Sequence, residues 1–220
     1  MTNPPVSHVM QRDGVAWAAW RTRANWRTLP QMIRMALCAC VVAALAGASS
    51  PVRLQRVDAD VDVDPLQAPA GTAAIVFLFT STDCPISNRY APEVRRLASR
   101  FGPEGVVFRL IYPNPSDGAD SIREHMASFA YTGTAHAFRD PDQAFVRLTG
   151  VTVTPEAVVY SGGRIVYRGR IDDRYVDLGR ERPAPTVHDL ADSLTAVLAG
   201  KPVPHPVTQA VGCFIADFKR

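Results

Sequence analysis

Short apolar runs and longer amphipathic stretches alternate along this chain. The run from Ala74 to Phe79 is continuous, rich in branched and aromatic residues, and typical of a buried strand. Small polar residues follow it, and Cys84-Pro85 then opens a predicted helix, because proline is tolerated best in the first helical turn. We expect this helix to reach about Phe101 and to bury the face that carries Leu97.

The rest of the chain continues this alternation of strands and helices. The predicted strands are Val106–Tyr112, His136–Phe138, Val158–Tyr160 and Ile165–Tyr167, and Gly162-Gly163 joins the last two as a hairpin. The predicted helices run from about Ala119 to Tyr131, from Asp140-Pro141 to near Gly150, and from Thr186 to Leu198. This order predicts an α/β sandwich, with a central mixed sheet flanked by helices.

Residues 51–71 have no helical period. Aspartates at 58, 60, 62 and 64 alternate with small and apolar residues, which predicts an edge strand or a solvated linker. The segment lacks the glycine and the terminal glutamate of a calcium-binding loop, so we predict no metal there.

The first fifty residues are typical of a targeting segment. Arginines at 21, 23, 27 and 34 precede an apolar run from Met35 to Ala46, and Ala46-Gly47-Ala48 fits the small-residue rule for signal cleavage. We therefore predict a signal peptide or N-terminal membrane anchor over 1–50, a domain over 51–200 and an extension over 201–220. A buried helix is the alternative interpretation of the apolar run. A leader predicts export to the periplasm or another extracytoplasmic space, with membrane contact only through an uncleaved leader.

The formal charge of +3 is set by the leader. Residues 1–48 hold five of the 24 basic residues and one of the 21 acidic residues, which leaves the remainder at −1. A chain with this charge gives no electrostatic reason to expect nucleic acid as a partner.

Removing the leader would also remove Cys38 and Cys40, leaving Cys84 and Cys213 as the two thiols. Cys84 stands at a helix N-terminus, where free N–H groups and the helix dipole favour the thiolate. A carboxylate at Asp83 would oppose this unless it points away from the sulfur. A buried structural role for Cys84 stays open, and so does simple packing of Cys213 in an apolar tail.

Three sequence motifs together resemble the thioredoxin fold. They are TDCPIS around Cys84, GVTVTP ending at Pro155, and SGGR followed by YRGR in the predicted hairpin. More narrowly, residues 54–198 are similar to the redoxin group, which includes peroxiredoxins of the alkyl hydroperoxide reductase and thiol-specific antioxidant type. The resemblance implies a cis Thr154–Pro155 bond facing Cys84, with a backbone edge left open for a substrate strand.

The chain departs from this family in ways that bear on the chemistry. Ser87 occupies the position where thioredoxins carry a second cysteine, so Cys84 has no local disulfide partner. Ser81 matches the hydroxyl residue that peroxiredoxins place three positions before the reactive cysteine, whereas Phe77 replaces their proline. The arginine that completes a peroxidatic site is not assignable by position among the three candidates, Arg164, Arg168 and Arg170.

The resemblance implies a thiol oxidoreductase that needs no cofactor or metal. Cys84 would be the redox-active thiol, Cys213 its resolving partner, and Ser81 and Pro155 further site residues. The substrate would be a small peroxide or a protein disulfide, with an external thiol as reductant. We expect the proline-rich arm before Cys213 to dock the tail across the sheet, because proline lowers the entropy cost of placing it.

Two other classes of function remain open. Copper chaperones of the Sco type share the fold, and Cys84, Cys213 and His136 would offer soft ligands for Cu(I). A non-catalytic binding module on the same scaffold is the other alternative, since a fold does not by itself specify a function.

Overall fold

A computed structural model describes residues 52–217 of the chain. The predicted leader, with Cys38 and Cys40, lies outside the described residues. Within the described part, none of the helices combines the length and the hydropathy that a membrane crossing requires.

Strands and helices alternate through the described residues, with most strands in one sheet. The strands are β1 Leu54–Arg56, β2 Val61–Val63, β3 Ala74–Phe79, β4 Val106–Tyr112, β5 His136–Arg139, β6 Val153–Thr154, β7 Glu156–Ser161, β8 Arg164–Gly169, β9 Tyr175–Asp177, β10 Arg180–Glu181 and β11 Cys213–Phe214. The α-helices are α1 Pro85–Phe101, α2 Ala119–Ser128, α3 Ala144–Thr149 and α4 Asp189–Leu198, and a 3₁₀ turn Gly102–Glu104 follows α1.

The main sheet has seven strands in the order β2-β1-β5-β4-β3-β7-β8. Strands β3, β4 and β5 are parallel, whereas β7, β8, β1 and β2 join antiparallel to their neighbours. Two short pairs, β10-β9 and β11-β6, stand apart from it. The protein is a thioredoxin-like α/β sandwich with a mixed central sheet, as the sequence predicts.

Strand β3 is buried along its whole length because both faces of the sheet are covered. Ala74, Val76 and Leu78 belong to one apolar core, together with the buried faces of α1, α2 and α4. The alternate residues, Ile75, Phe77 and Phe79, belong to a second core that includes Phe145 of α3. The two-residue period of a strand thus divides the apolar run between two layers.

Two helices begin later than the sequence predicts, and in each case a buried aspartate explains the difference. The third helix begins at Ala144, because Asp140 Oδ2 accepts the N–H groups of Phe145 and Val146 at 3.0 and 2.9 Å. The closing helix begins at Asp189, because Asp173 binds the backbone N–H groups of residues 186 and 187 and keeps them in a loop.

The edges of the sheet agree with the pattern of turn and polar residues. Gly162 and Gly163 have positive φ values of 58° and 79°, which a two-residue hairpin turn between β7 and β8 requires. At the opposite edge, the acidic segment forms the short exposed strand β2, paired antiparallel with β1. Of the two interpretations open for this segment, the edge strand is the one observed.

The C-terminal extension belongs to the same compact unit as the sheet. Its proximal part lies beside β8, where the Arg168 N–H donates to the Pro206 carbonyl and the Thr208 N–H donates to the Arg168 carbonyl. Its last described residues form β11 and pair with β6. The tail therefore crosses from one edge of the main sheet to the start of α1.

Candidate redox site

Cys84 lies where β3 gives way to α1. It is the N-cap residue of α1, in extended conformation, and Pro85 occupies the first helical turn as the sequence predicts. The Asn88 N–H donates to the Cys84 carbonyl at 3.0 Å, which begins the helix. The side chain is only 2 % exposed and lies against the first core. Cys84 is thus both buried and at a helix N-terminus, whereas the sequence left a buried structural cysteine and a reactive helix-start cysteine as alternatives.

The Thr154–Pro155 bond is cis and faces this thiol, which confirms the prediction. Cys84 Sγ lies 3.1 Å from the Thr154 carbonyl oxygen, which accepts the S–H when the thiol is protonated. Pro155 itself is buried and separates β6 from β7. The cis-proline loop therefore forms one wall of the site.

The backbone edge beside the thiol is occupied by the chain's own tail. Strand β11 pairs antiparallel with β6, with Cys213 opposite Thr154 and Phe214 opposite Val153. The prediction that the tail docks across the sheet is confirmed, and the prediction of an open edge is wrong. A cavity of about 220 Å³ remains at this place, lined by both cysteines, Asp83 and the end of the tail.

Docking brings the two thiols into contact. Cys84 Sγ and Cys213 Sγ lie 2.7 Å apart, although the residues are 129 positions apart in sequence. Both are free cysteines in the structure. Phe214, by contrast, is 81 % exposed, so it does not pack with Cys213 against the core. Ile215 does pack against the second core.

The two thiols have opposite electrostatic environments. Burial raises the pKa of Cys84, but contacts with the Cys213 thiol, the hydroxyl and N–H of Ser87, and Thr154 outweigh burial and bring the net pKa below its ordinary value. Burial, the contact with Cys84 and the charge of Asp83 together raise the pKa of Cys213 to about 12. Cys84 is therefore the thiol of the pair that ionises more readily, and Cys213 holds its proton more firmly.

Ser87 acts on the sulfur rather than replacing the missing second cysteine. Its hydroxyl is buried and makes no hydrogen bond within the part of the chain that the structure describes. Lying one helical turn after Cys84, the hydroxyl and the N–H of Ser87 both lower the pKa of the Cys84 thiol.

Ser81 lies in the loop before Cys84, with its hydroxyl directed to carboxylates. Its Oγ is 2.5 Å from Asp83 Oδ1 and 3.3 Å from Asp117 Oδ2, so its single hydrogen is donated to a carboxylate. The Asp83 carboxylate is thereby fixed in the loop before Cys84, and its charge raises the pKa of Cys213.

Asp117 is a residue of this site that sequence reasoning missed. It is buried, and it accepts the Thr82 hydroxyl at 2.5 Å and the Thr82 N–H at 3.4 Å. A signal was present: Asp117 follows β4, whose carboxyl end must lie beside that of the parallel strand β3. Asp117 fixes the loop that carries Ser81 and leads into Cys84.

A second buried network supports the first turn of α1. The Tyr112 hydroxyl donates to His125 Nδ1 at 2.9 Å, and His125 Nε2 donates to Asn88 Oδ1 at 2.8 Å. The Asn88 amide in turn donates to the Thr82 carbonyl at 3.3 Å. Burial lowers the pKa of His125, although the charge of Asp117 partly opposes this, so the imidazole is neutral. The sequence assigned His125 no role.

The candidate arginines lie elsewhere. Arg164 is exposed at the β7–β8 turn, Arg168 pairs with Glu156 at 3.6 Å, and Arg170 pairs with Asp189 at 2.6 Å. Among the residues that the structure describes, no arginine lines the cavity beside the thiols. The peroxidatic arginine expected from the resemblance is therefore not supplied by these three positions.

His136 is also not part of the site. It is exposed at the start of β5, with Arg56 and Asp58 as its side-chain contacts at 3.2 and 3.3 Å. It lines a different cavity, of about 600 Å³, which neither cysteine reaches. The ligand set Cys84, Cys213 and His136 that a copper chaperone would use is therefore not assembled.

Comparison with solved structures shows the fold. An uncharacterized conserved protein from Geobacillus kaustophilus has 24 % identity and a TM-score of 0.67, covering 78 % of this chain and 92 % of its own. A hypothetical protein from Sinorhizobium meliloti has 21 % identity and a TM-score of 0.63, covering 76 % and 91 %. A secreted Mycobacterium tuberculosis disulfide oxidoreductase homologous to E. coli DsbE has 15 % identity and a TM-score of 0.45, covering 68 % of this chain and 95 % of its own.

No protein-family model and no curated protein matches the chain. The similarity to solved structures is a similarity of fold, so the activity has to be argued from the two thiols and their surroundings.

Proposed function

We propose that this protein is a thiol–disulfide oxidoreductase in which Cys84 is the attacking thiolate and Cys213 its resolving partner. The observation that carries the proposal is the 2.7 Å contact between two sulfurs whose pKa values are shifted in opposite directions. A thiolate is the nucleophile in disulfide exchange, and a protonated thiol beside it is the proton donor.

The reaction begins when Cys84 thiolate attacks one sulfur of a substrate disulfide. A bond forms between Cys84 Sγ and that sulfur, the substrate S–S bond breaks, and the other substrate sulfur leaves as a thiolate that takes up a proton. Cys213 then loses its proton and attacks Cys84 Sγ, which expels the first substrate sulfur as a thiol. The substrate gains two electrons, and the protein becomes the Cys84–Cys213 disulfide. An external thiol reductant restores both cysteines.

Reduction of a small peroxide would use the same thiolate but finds less support. The hydroxyl of Ser81 is directed to Asp83 and Asp117, and the described residues that line the cavity include no arginine. A peroxide would lack the cation and hydroxyl donors that stabilise its leaving oxygen. We therefore assign Cys84, Cys213 and Pro155 to disulfide exchange and expect Ser81 to position the loop.

The proposal includes the compartment. The arginine-flanked apolar run before residue 50 supports export to an extracytoplasmic space, where disulfides persist and a disulfide oxidoreductase has substrates. An uncleaved leader would tether the domain to the membrane. Protein disulfides are the proposed substrates, and the redox chemistry needs neither a metal nor a cofactor.

The test is a count of the thiolate released from dithiobis(nitrobenzoate). It uses the full chain with Cys38→Ser and Cys40→Ser, so that only the two site thiols react. We expect two equivalents of thionitrobenzoate and an internal disulfide without an adduct. Adding Cys213→Ser should give one equivalent and a stable adduct on Cys84.

The Cys84→Ser chain is the matched control. Burial and the charge of Asp83 still raise the pKa of Cys213 in this variant, although Cys84 no longer does, so it should react slowly at neutral pH. Two independent adducts on the starting chain, with no internal disulfide, would contradict the resolving role. An unreactive Cys84 would favour the non-catalytic module instead.

A further inference from the structure

The tail strand occupies the edge where a substrate strand would pair. Strand β11 lies antiparallel to β6, and the Ile215 N–H donates to the Thr152 carbonyl at 3.0 Å. Pairing of this kind uses backbone groups, so it does not depend on the identity of the strand that is added. A foreign strand in the same place would present one of its own side chains to Cys84, as β11 presents Cys213.

The contacts of β11 define which sequence fits this edge. A Cβ atom at Gly212 would lie 2.6 Å from the Thr154 carbonyl carbon and closer still to its oxygen, so the residue before the cysteine must be glycine. The residue after the cysteine is free to vary, since Phe214 is 81 % exposed. The next residue is apolar, because Ile215 packs against the second core.

The tail is attached in two separate parts. The proximal part is fixed to β8 by Pro206 and Thr208, and the Thr208 hydroxyl lies 2.7 Å from that of Tyr167. The distal part is β11 on β6, with the Gln143 amide donating to the Ala216 carbonyl at 2.6 Å. Between them, residues 209–211 pass over a cavity of about 480 Å³. The distal strand is therefore able to leave while the proximal part stays in place.

We propose that β11 is an internal mimic of the substrate, and that the external partner is an extended protein segment of the pattern glycine, cysteine, any residue, apolar residue. This inference rests on the proposed function. The partner cysteine enters as a disulfide, and its strand replaces β11 on β6. Cys84 thiolate bonds to the partner's sulfur in the position of Cys213 Sγ, and the other sulfur leaves as described above.

Strand exchange then accompanies the second half of the reaction. The partner strand and β11 need the same backbone groups of Val153 and Thr154, so they bind one after the other. When the tail returns, Cys213 attacks Cys84 Sγ, and the partner leaves as a free thiol with a glycine-flanked cysteine. The tail thus keeps from the β6 edge any partner strand that pairs with β6 more weakly than β11 does.

The experiment uses two peptides as probes, each with its cysteine activated as a thionitrobenzoate disulfide. One has the sequence of residues 209–216, QAVGCFIA, and the other has valine in place of the glycine. They react with the full chain carrying Cys38→Ser, Cys40→Ser and Cys213→Ser, and each rate is divided by the rate of the same peptide with glutathione. We expect the glycine peptide to react at least about tenfold faster with Cys84.

A variant in the tail tests whether β11 blocks this edge. Gly212→Val, added to that chain, should lift β11 from β6 and raise the rate with both peptides, because the new side chain would meet the Thr154 carbonyl. Gln209→Val is the matched control, since residue 209 is exposed and precedes the paired strand. The peptide comparison holds even where Gly212→Val fails to fold.

The outcomes separate the two proposals. A Cys84 that does not react with dithiobis(nitrobenzoate) overturns the proposed function. A Cys84 that reacts with this reagent but takes both peptides at the same relative rate overturns the substrate pattern alone. Exchange of tails between two copies, seen as a dimer by light scattering, would assign the edge to a second copy and also overturn the foreign partner.

Discussion

The β3–α1 unit and the C-terminal tail meet at the same two sulfurs but are held there by different forces. Cys84 is fixed by local structure, as the cap of a seventeen-residue helix behind a fully buried strand. Cys213 is fixed by a two-residue strand and a few hydrogen bonds. The nucleophile therefore belongs to the rigid part of the molecule, and its partner to the part that is easiest to release.

The same contrast appears in their electrostatics. Against burial, the contact with Cys213 and then the Ser87 turn of α1 lower the pKa of Cys84. Burial, the contact with Cys84 and the charge of Asp83 all raise that of Cys213. The fixed β3–α1 unit carries the thiol that ionises more readily, and the C-terminal tail carries the thiol that keeps its proton. The following predictions test how far this division holds.

The largest effect should come from joining the two regions covalently. A disulfide between residues 129 positions apart stabilises the fold by about 5 kcal/mol in the chain-entropy model. Oxidised protein with Cys38→Ser and Cys40→Ser should therefore melt about 10–20 °C above the reduced form in calorimetry. In the chain that also carries Cys213→Ser, oxidant should leave the melting temperature unchanged. Equal melting temperatures for both forms of the two-thiol chain would show that the tail is not joined to the core.

The second effect is a difference in the rate of alkylation. With a pKa of about 12 for Cys213 and one below 9.0 for Cys84, the thiolate fractions at neutral pH differ by about a thousandfold or more. The weaker nucleophilicity of a low-pKa thiolate reduces this to about 30-fold. Initial labelling by iodoacetamide, read from peptide masses of the chain with Cys38→Ser and Cys40→Ser, should favour Cys84 by that factor.

The pH dependence of this labelling gives a control. Labelling of Cys84 should rise with pH with a midpoint below pH 9, because only the thiolate reacts. Ser87→Ala should move the midpoint upward, since it removes a donor to the sulfur. An unchanged midpoint in that variant would mean that Ser87 has no effect on the thiol.

The smallest effect concerns the proximal attachment of the tail. Thr208→Val removes the hydroxyl that contacts Tyr167 and accepts the Arg170 N–H at 3.2 Å. The loss should weaken tail docking by about 1 kcal/mol and raise the alkylation rate of Cys84 about fivefold. Thr208→Ser keeps the hydroxyl and should behave like the starting chain. Similar alkylation rates for the valine and serine variants would show that β11 alone, and not the proximal attachment, controls access to Cys84.

Local patterns were sufficient to predict the rigid half of the site. The apolar run of β3 and the Cys84-Pro85 helix start follow from residues that are adjacent in sequence, whereas the cis bond at Pro155 was implied by the family resemblance. The starts of α3 and α4 were misplaced because Asp140 and Asp173 bind backbone groups several residues away. Such capping depends on burial, which a single sequence does not reveal.

For the tail half, docking and a resolving role for Cys213 were predicted, but the strand pairing that places Cys213 was not. Proline content and the second cysteine indicated docking. The pairing of Cys213 with Thr154, however, joins distant residues, and no local hydrophobic periodicity predicts such a contact. Gly212 carried a signal only in retrospect, as a small residue before a cysteine. Glycine is required at position 212 because the Thr154 backbone lies too close for a Cβ atom, which is known only once β6 is placed.

The sequence distance between the two sulfurs also has a consequence for biosynthesis. Cys213 follows every strand of the main sheet, so it leaves the ribosome after β3, α1 and β6 have been made. Native pairing of the cysteines is then a late, non-local step, which must wait until the scaffold around Cys84 has formed. Until that step, Cys84 has no cysteine partner among residues 52–217 and is open to every thiol and disulfide in its surroundings. The interval between synthesis of α1 and docking of the tail is the period in which a folding catalyst would have the most effect on this chain.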